Sequence, residues 1–322
     1  MPIRIFIKTL GFISIILWIH LSVSNRSFGA VQRQSGFTPR WGASAGVLPN
    51  GKVIVVGGFN GKDTGITEIY SPENGQWVQA ASDPIARTSA SAVVLTNGDF
   101  FVTGGYNQNY LNVTEVYDAF KNTWIRKKPD PTARAGATAV LLKDGSVFVT
   151  GGFNQNGYLG ISELYNPHSD SWKSLSPDPE PRWAASAALL RNGSVLVVNG
   201  YNGQSLTTCE QYDPFRNTWK TLSSSIMPRW GAMGLALDSG NILVLDGYHN
   251  GYLKDSELYI VSRNSWKEVA PDPVPREKGV AVQLSNGMVL VVGGLNDGGF
   301  ISGGEEYDPR TDTWQQLPAH VR

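Results

Sequence analysis

Short apolar segments recur along this chain, separated by glycine, asparagine and proline. The clearest, "VIVV" at residues 53–56 and "VLVV" at 195–198 and 289–292, are apolar at every position instead of at alternate positions. This pattern predicts strands with both faces buried. A dipeptide that accepts the positive φ of a tight hairpin turn precedes each such strand: Asn50-Gly51, Asn97-Gly98, Asp144-Gly145, Asn192-Gly193, Ser239-Gly240 and Asn286-Gly287. Each apolar strand is therefore predicted to be the second strand of a hairpin.

The hairpin belongs to a longer repeat. In the first unit, residues 40–48, 52–58, 66–70 and 76–80 are predicted to form four short strands, A to D. An arginine opens strand A and a tryptophan lies in strand D, and both recur every 47 or 48 residues: Arg40, Arg87, Arg134, Arg182, Arg229 and Arg276; Trp77, Trp124, Trp172, Trp219, Trp266 and Trp314. Six four-stranded sheets bury both faces when they pack around one axis, which predicts an all-β, six-bladed β-propeller of antiparallel blades.

The unit R-x-G-A-x-A … N-G-x-V-x-V-V-G-G-[FY]-N … E-x-Y-x-P … N-x-W resembles the kelch repeat. The resemblance covers a propeller domain of residues 40–322, with blades at about 40–84, 85–131, 132–179, 180–225, 226–273 and 274–318. It implies a kelch-type propeller, a class that includes peptide-binding adaptors, extracellular interaction domains and a few enzymes. Residues 30–39 are a possible closing strand, but we favour the strand that carries Trp314, because its indole adds apolar burial.

The first 29 residues have a different pattern. Arg4 and Lys8 precede the apolar run Leu10 to Val23, and the small residues Ser27 and Gly29 follow it. This layout is typical of a secretory signal peptide, here residues 1–29, with cleavage before Ala30. An uncleaved anchor is the alternative. We expect a secreted, periplasmic or extracellular protein with no membrane contact beyond this segment.

Composition argues against nucleic acid, disulfide bonds and metal ions. The 322 residues include 27 Lys plus Arg and 27 Asp plus Glu, so there is no overall basic field of the kind that drives nucleic-acid binding. The lone Cys209 cannot form an internal disulfide and is expected to be buried. No group of His, Cys and Asp has the spacing of a metal site, and we expect no metal and no cofactor. Six similar blades favour a monomer.

The candidate binding surface is the rim on which the arginines lie. Strand A leaves this rim and strand B returns to it, so the residue after each double glycine belongs there too. Guanidinium, aromatic and amide groups can hold a carboxylate or phosphate and stack on a sugar or side chain. The candidates, besides the six arginines, are Phe59, Tyr106, Phe153, Tyr201 and Tyr248; Trp41, Trp183 and Trp230; and Asn60, Asn107, Asn154, Asn202, His249 and Asn296.

In peptide-binding kelch adaptors, the resemblance implies, the matching arginine and tyrosine positions line the ligand mouth. Residues repeated in every blade can also serve the blade itself. Each arginine has a candidate partner at the start of strand C, since buried charges need partners: Glu68, Glu115, Glu163, Glu210, Glu257 and Glu306.

Departures from the repeat are more informative about function. Asn199 and Asp246 replace a glycine, His249 replaces an asparagine, and Glu277 and Lys278 replace two small residues.

Two functions of different classes follow. The first is a non-catalytic binding propeller that holds a protein segment or glycan on this rim, which we favour because it needs no unique residues. The alternative is a sugar-processing enzyme, mutarotase-like or lyase-like, which the resemblance to exported kelch-type sialic-acid mutarotases makes conceivable. Its catalytic residues would be Asp246 or His249 as acid or base, with Arg229 and Arg276 steadying a carboxylate.

The segment "GASAG", Gly42 to Gly46, also fits the G-x-S-x-G pattern of serine hydrolases. A nucleophile elbow needs a strand, a sharp turn and a helix, whereas Ser44 is followed by more strand and a hairpin. Methionine and valine occupy the equivalent position in the last two blades. We therefore interpret Ser44 as a small residue on the strand nearest the axis, where space is short, and expect its replacement by alanine to be nearly silent.

Overall fold

The computed structural model describes residues 36–317, so the expected signal peptide lies outside the described part. Within it the chain forms six sheets of four antiparallel strands, each ordered A-B-C-D. In the first sheet, strands A to D span Ser44–Val47, Val53–Val56, Thr67–Ser71 and Gln76–Gln79. The A strands of successive sheets contact one another, and the first contacts the last. The predicted six-bladed β-propeller is confirmed.

The other five blades repeat this order. Their A strands are Ser91–Val94, Thr138–Leu141, Ser186–Leu189, Met233–Ala236 and Val280–Gln283; their B strands are Phe100–Thr103, Val147–Thr150, Val195–Val198, Ile242–Leu245 and Val289–Val292. Their C strands are Thr114–Asp118, Ser162–Asn166, Cys209–Asp213, Ser256–Ile260 and Gly304–Asp308; their D strands are Thr123–Lys127, Ser171–Ser174, Thr218–Thr221, Ser265–Val269 and Thr313–Gln316. Two blades add a short hairpin between strands B and C: Phe153–Asn154 with Gly157–Tyr158, and Leu295–Asn296 with Gly299–Phe300.

The apolar cores lie between neighbouring blades. Every residue of each B strand is buried, as the all-apolar pattern predicts. Ile54 and Val56 of the first blade pack with Phe100 and Val102 of the second. Val53 and Val55 face the other way, toward Leu290 and Val292 of the sixth blade. This interface closes the ring, and the outer edge of the sixth blade is the strand that carries Trp314.

Strand A begins four residues later than the sequence predicts, because the residues after each arginine form a ring around the axis. One residue from each blade donates its backbone N–H to the carbonyl of the equivalent residue in a neighbouring blade, at 2.7 to 2.9 Å. We call this ring the hoop; all six members have positive φ, from 49° to 64°: Gly42, Ser89, Gly136, Ala184, Gly231 and Lys278. Since Gly42 N–H donates to the Lys278 carbonyl, the hoop joins the first blade to the last.

The hoop is tightly packed at Gly136. A Cβ atom on Gly136 would lie 2.1 Å from Nε1 of Trp183, so the indole of the fourth blade occupies the place of a side chain on the third. The only helical turn in residues 36–317 is Val261–Arg263, and this part of the chain has no helix long and apolar enough to span a membrane.

Candidate functional site

The six repeated arginines are buried, with at most 1% of their surface exposed. Arg40 donates to Glu68 at 2.5 Å, and the arginines of the later blades likewise donate to the glutamate of their own strand C. Arg87, Arg134 and Arg182 also pair with an aspartate four residues earlier, at 2.9 to 3.1 Å. Their assignment as ligand-binding residues is therefore corrected: the guanidinium groups bind the blade and do not face a ligand.

The partner of Arg276 differs from the prediction by one residue. Arg276 binds Glu305, not Glu306. In the other blades the arginine-bound glutamate stands two residues before the strand C tyrosine, and Glu305 has that spacing to Tyr307. Alternation along the strand therefore turns Glu306 to the opposite face, where it accepts a hydrogen bond from Gln315.

The candidate catalytic residues Asp246, Arg229 and Arg276 are wholly buried, so none of them can touch a substrate, and this set is corrected as well. Asp246 lies 3.6 Å from Arg276, which also pairs with Asp272 at 3.4 Å and with Glu305. Burial and the neighbouring Asp272 carboxylate raise the pKa of Asp246 well above its ordinary value. His249 is half-buried on the rim, 3.3 Å from the Asn250 amide.

The candidate asparagines anchor their loops. The side-chain amides of Asn107, Asn154 and Asn296 donate to backbone carbonyls 21 residues earlier, at 2.8 to 3.1 Å. Asn202 donates to Glu180 instead. These bonds tie four of the B-to-C loops to the strand connections beside them, so one amide N–H of each asparagine is used within the protein. For Asn60 no side-chain hydrogen bond is seen among residues 36–317.

The aromatic candidates do come together on one rim. Trp41, Trp183 and Trp230 pair through their backbones with Phe59, Tyr201 and Tyr248, as the topology predicts. Eight rings form a continuous series across blades two to five, with successive centroids 5.1 to 6.2 Å apart. We call this series the aromatic arc: Tyr106, Tyr110, Phe153, Tyr158, Tyr201, Trp230, Tyr248 and Tyr252. All but the buried Trp230 are partly exposed.

Burial favours the neutral form of three arc tyrosines, Tyr110, Tyr158 and Tyr252. Burial raises the pKa of Tyr110 and of Tyr158 to about 12, and it raises the pKa of Tyr252 further, with help from Glu277. The arc therefore offers ring faces and neutral hydroxyl groups. Exposed polar residues at the loop tips flank it: Gln108, Asn109, Gln155, Asn156, Gln204 and Asn250.

The arc ends at the opening of the central channel, where the sixth blade departs from the repeat. We call this opening the axial mouth, formed by the residues that follow the six arginines: Trp41, Thr88, Ala135, Trp183, Trp230 and Glu277. All six are buried. Beneath them a cavity of about 150 Å³ is lined by the hoop and the small residues next to it, with Lys278 as its only long side chain.

Lys278 crosses the axial mouth. Its Nζ lies 3.9 Å from the ring centroid of Trp183 and 4.7 Å from that of Trp41, which belong to opposite blades. It donates a hydrogen bond to Oγ of Ser89 at 3.0 Å. Among residues 36–317, no carboxylate oxygen comes within the 4.0 Å of an ion pair with this ammonium. Lys278 therefore rests on two aromatic faces, an arrangement that attracts cations.

Burial perturbs both charged residues of the mouth. It lowers the pKa of Lys278, and the negative charge of Glu277 opposes this shift. It raises the pKa of Glu277, whose Oε2 has no hydrogen-bond partner in the described part of the chain. Burial thus brings the pKa of Lys278 and the pKa of Glu277 both to about 7, and no ion pair joins the two groups in the described part of the chain.

Sequence reasoning missed several members of this site. Tyr110, Tyr158 and Tyr252 stand four or five residues after the predicted rim aromatics, and this recurrence was a usable signal. Glu277 and Lys278 stood out as departures from the repeat, but their position on an inner strand did not reveal that Lys278 reaches across the axis.

Comparisons with known proteins agree with this fold. The family model of the KLHDC2/KLHL20/DRC7 Kelch-repeats domain matches residues 42–232, and the Kelch motif model matches residues 278–319. A solved structure titled "Structure of YjhT" is similar with a TM-score of 0.74 and 17% identity, covering 89% of this chain and all of that one. At this identity the likeness shows the fold alone. No curated protein matches the chain.

The first family model spans more than half of the chain and the second falls in the sixth blade. Both matches fall within the six blades of A-B-C-D order. The chain belongs to the kelch-repeat β-propeller family.

Proposed function

We propose that this protein is an exported, non-catalytic binding propeller that holds a glycan chain along the aromatic arc. The observation that carries the proposal is the arc itself: eight rings in contact across four blades, seven of them partly exposed. Aromatic faces pack against the C–H faces of sugar rings, and flanking amides and hydroxyls bond to sugar hydroxyls. Because the repeated arginines are buried, the arc is a neutral surface, which suits a sugar better than an acidic peptide.

A protein segment is the second candidate, and the loop composition favours it. The B-to-C loops are rich in Tyr, Asn, Gly and Ser, as in "YNQNY" and "YNGQS". Antibody loops use the same residues, since tyrosine supplies contact area at low entropic cost and the small polar residues supply adaptable hydrogen bonds.

A glycan array and a pull-down separate the two ligands. Wild-type protein should retain a glycan, and the double variant Tyr106→Ala with Tyr201→Ala should lose it while keeping the wild-type melting temperature. The matched control is Phe120→Ala with Phe215→Ala, which removes two rings that are 98% and 94% exposed in the C-to-D turns of the opposite rim. Capture of a protein but no glycan would overturn the glycan assignment. Conversion of a bound sugar, followed by NMR, would overturn the non-catalytic one.

A further inference from the structure

We propose that Lys278 forms an anion subsite in the axial mouth and takes the carboxylate of an acidic sugar unit at the end of the bound glycan. The inference rests on the proposed function for its ligand, but its site is separate from the arc residues tested above. Three features of the mouth support it: the geometry of the ammonium, the lack of a carboxylate within 4.0 Å of it in residues 36–317, and the cavity beside it.

The ammonium is positioned but not neutralised. An ammonium group has three N–H donors, and Ser89 accepts from one of them. The faces of Trp41 and Trp183 hold the charge in place without providing a hydrogen-bond acceptor. Two donors are therefore left for a ligand, in a place where part of the water has been excluded.

Other cations of the propeller interior are paired differently. Each buried arginine binds at least one carboxylate, whereas no carboxylate reaches Lys278 in the described part of the chain. A partly buried charge is costly unless it is paired. An incoming carboxylate would supply that pair, and charge-assisted hydrogen bonds are about twice as strong as neutral ones.

The space beside Lys278 fits a small group. The cavity of about 150 Å³ is lined by Gly42, Ser89, Gly136, Ala184 and Gly231, so a carboxylate can approach the axis without displacing a side chain. Trp230 of the arc packs on Trp183, with ring centroids 5.0 Å apart, and Lys278 Nζ lies 3.9 Å from the Trp183 centroid. A sugar chain bound on the arc therefore lies one indole ring away from the ammonium.

The test compares two sugars that differ in one group. Methyl β-D-glucuronide carries a carboxylate where methyl β-D-glucoside carries a hydroxymethyl group. Calorimetry should give wild-type protein a preference of roughly tenfold for the glucuronide, as one charge-assisted pair implies. Lys278→Met should abolish the preference and leave glucoside binding unchanged, and Lys278→Arg should retain part of it. Equal affinities in wild-type protein, or an undiminished preference in Lys278→Met, would overturn the subsite.

A second measurement needs no variant that could misfold. In protein labelled with ¹³Cε-lysine, which leaves the ammonium unmodified, the Lys278 Cε signal should shift when sodium acetate is added, at constant ionic strength. If acetate shifts this signal in a protein that binds neither sugar, the anion subsite is supported and the glycan function is refuted. If no anion moves this signal, the subsite is wrong, whether or not neutral glycans bind the arc. If an acidic peptide binds through Lys278 and sugars do not, the assignment to an acidic sugar is wrong.

Discussion

Asn199 donates from Nδ2 to Oγ of Ser225 at 2.7 Å, at a point where three other blades place a glycine beside an aspartate. These are Gly57 with Asp83, Gly104 with Asp130, and Gly151 with Asp178. Ser225 lacks the charge of those aspartates, and Asn199 fills the space with an amide. The next blade has Asp246 with Asp272 at the same two positions, so two carboxyl groups share one arginine. Asn199 and Ser225, two apparent deviations of the repeat, are therefore linked to each other by a hydrogen bond.

The pair predicts a pH effect on stability. Burial and Asp272 raise the pKa of Asp246 in the folded state, so the folded protein retains a proton that the unfolded chain releases near pH 4. Stability therefore falls as pH rises from that value toward the folded pKa. Asp246→Asn, which reproduces Asn199, should remove this slope and raise the free energy of unfolding at pH 7.

Urea unfolding of both proteins between pH 5 and pH 8 measures the difference. The reverse substitution, Asn199→Asp, is the matched control. It should destabilise the fold, because Asn199 also donates to the carbonyls of Leu206 and Met227, which a carboxylate would repel. Parallel pH profiles for wild-type protein and Asp246→Asn would contradict the shared-proton interpretation.

Removal of a buried arginine should damage the fold before it affects any ligand. Arg134→Met leaves Asp130 and Glu163 buried without their partner, and breaking such a pair costs about 3–5 kcal/mol. Chemical unfolding should show this loss, and Arg216→Met, at a side chain that is 72% exposed, should change stability very little. A stable Arg134→Met protein with impaired ligand binding would instead show that the repeated arginines contact the ligand.

Two substitutions in the hoop should have opposite effects. Gly136→Ala forces Trp183 to move, since the new Cβ would lie 2.1 Å from its Nε1, and overpacking of this kind costs about 1–3 kcal/mol. Ala184→Gly should stabilise the protein by up to about 1 kcal/mol, because a φ of 53° is unfavourable for alanine. Equal melting temperatures for the two variants would show that the hoop tolerates either residue.

Ser44 should matter more than its size implies. Its Oγ donates to the Ala90 carbonyl of the next blade at 3.0 Å, so Ser44→Ala should cost about 0.5–1.5 kcal/mol and not be silent. Ser91→Ala should cost about the same, because Ser91 donates to Ala137 at 2.8 Å in the same way. Thermal unfolding measures both. A silent Ser44→Ala would restore the interpretation based on size alone.

Most of the fold could be predicted from the sequence because the same strand and turn pattern occurs in all six blades. All-apolar B strands, turn dipeptides and the 47-residue spacing of Trp77 and Trp124 specify four strands and their order. The arginines were harder to place, since a guanidinium beside an aromatic residue suits both a ligand site and a buried ion pair. Aspartates four residues before Arg87 and Arg134 were the deciding signal. Lys278 could not be placed in advance, because its contacts with Trp41 and Trp183 arise only once the ring has closed.

The hoop has a consequence for how this propeller opens. In a linear array of repeats the terminal units fray first, because each has only one neighbour. Here the Gly42 N–H to Lys278 carbonyl bond gives every inner strand two neighbours, so no blade is terminal at the axis. The backbone amides of the six hoop residues should therefore exchange with deuterium together and slowly, and a cut in one hoop bond would give the ring two ends at which unfolding can start.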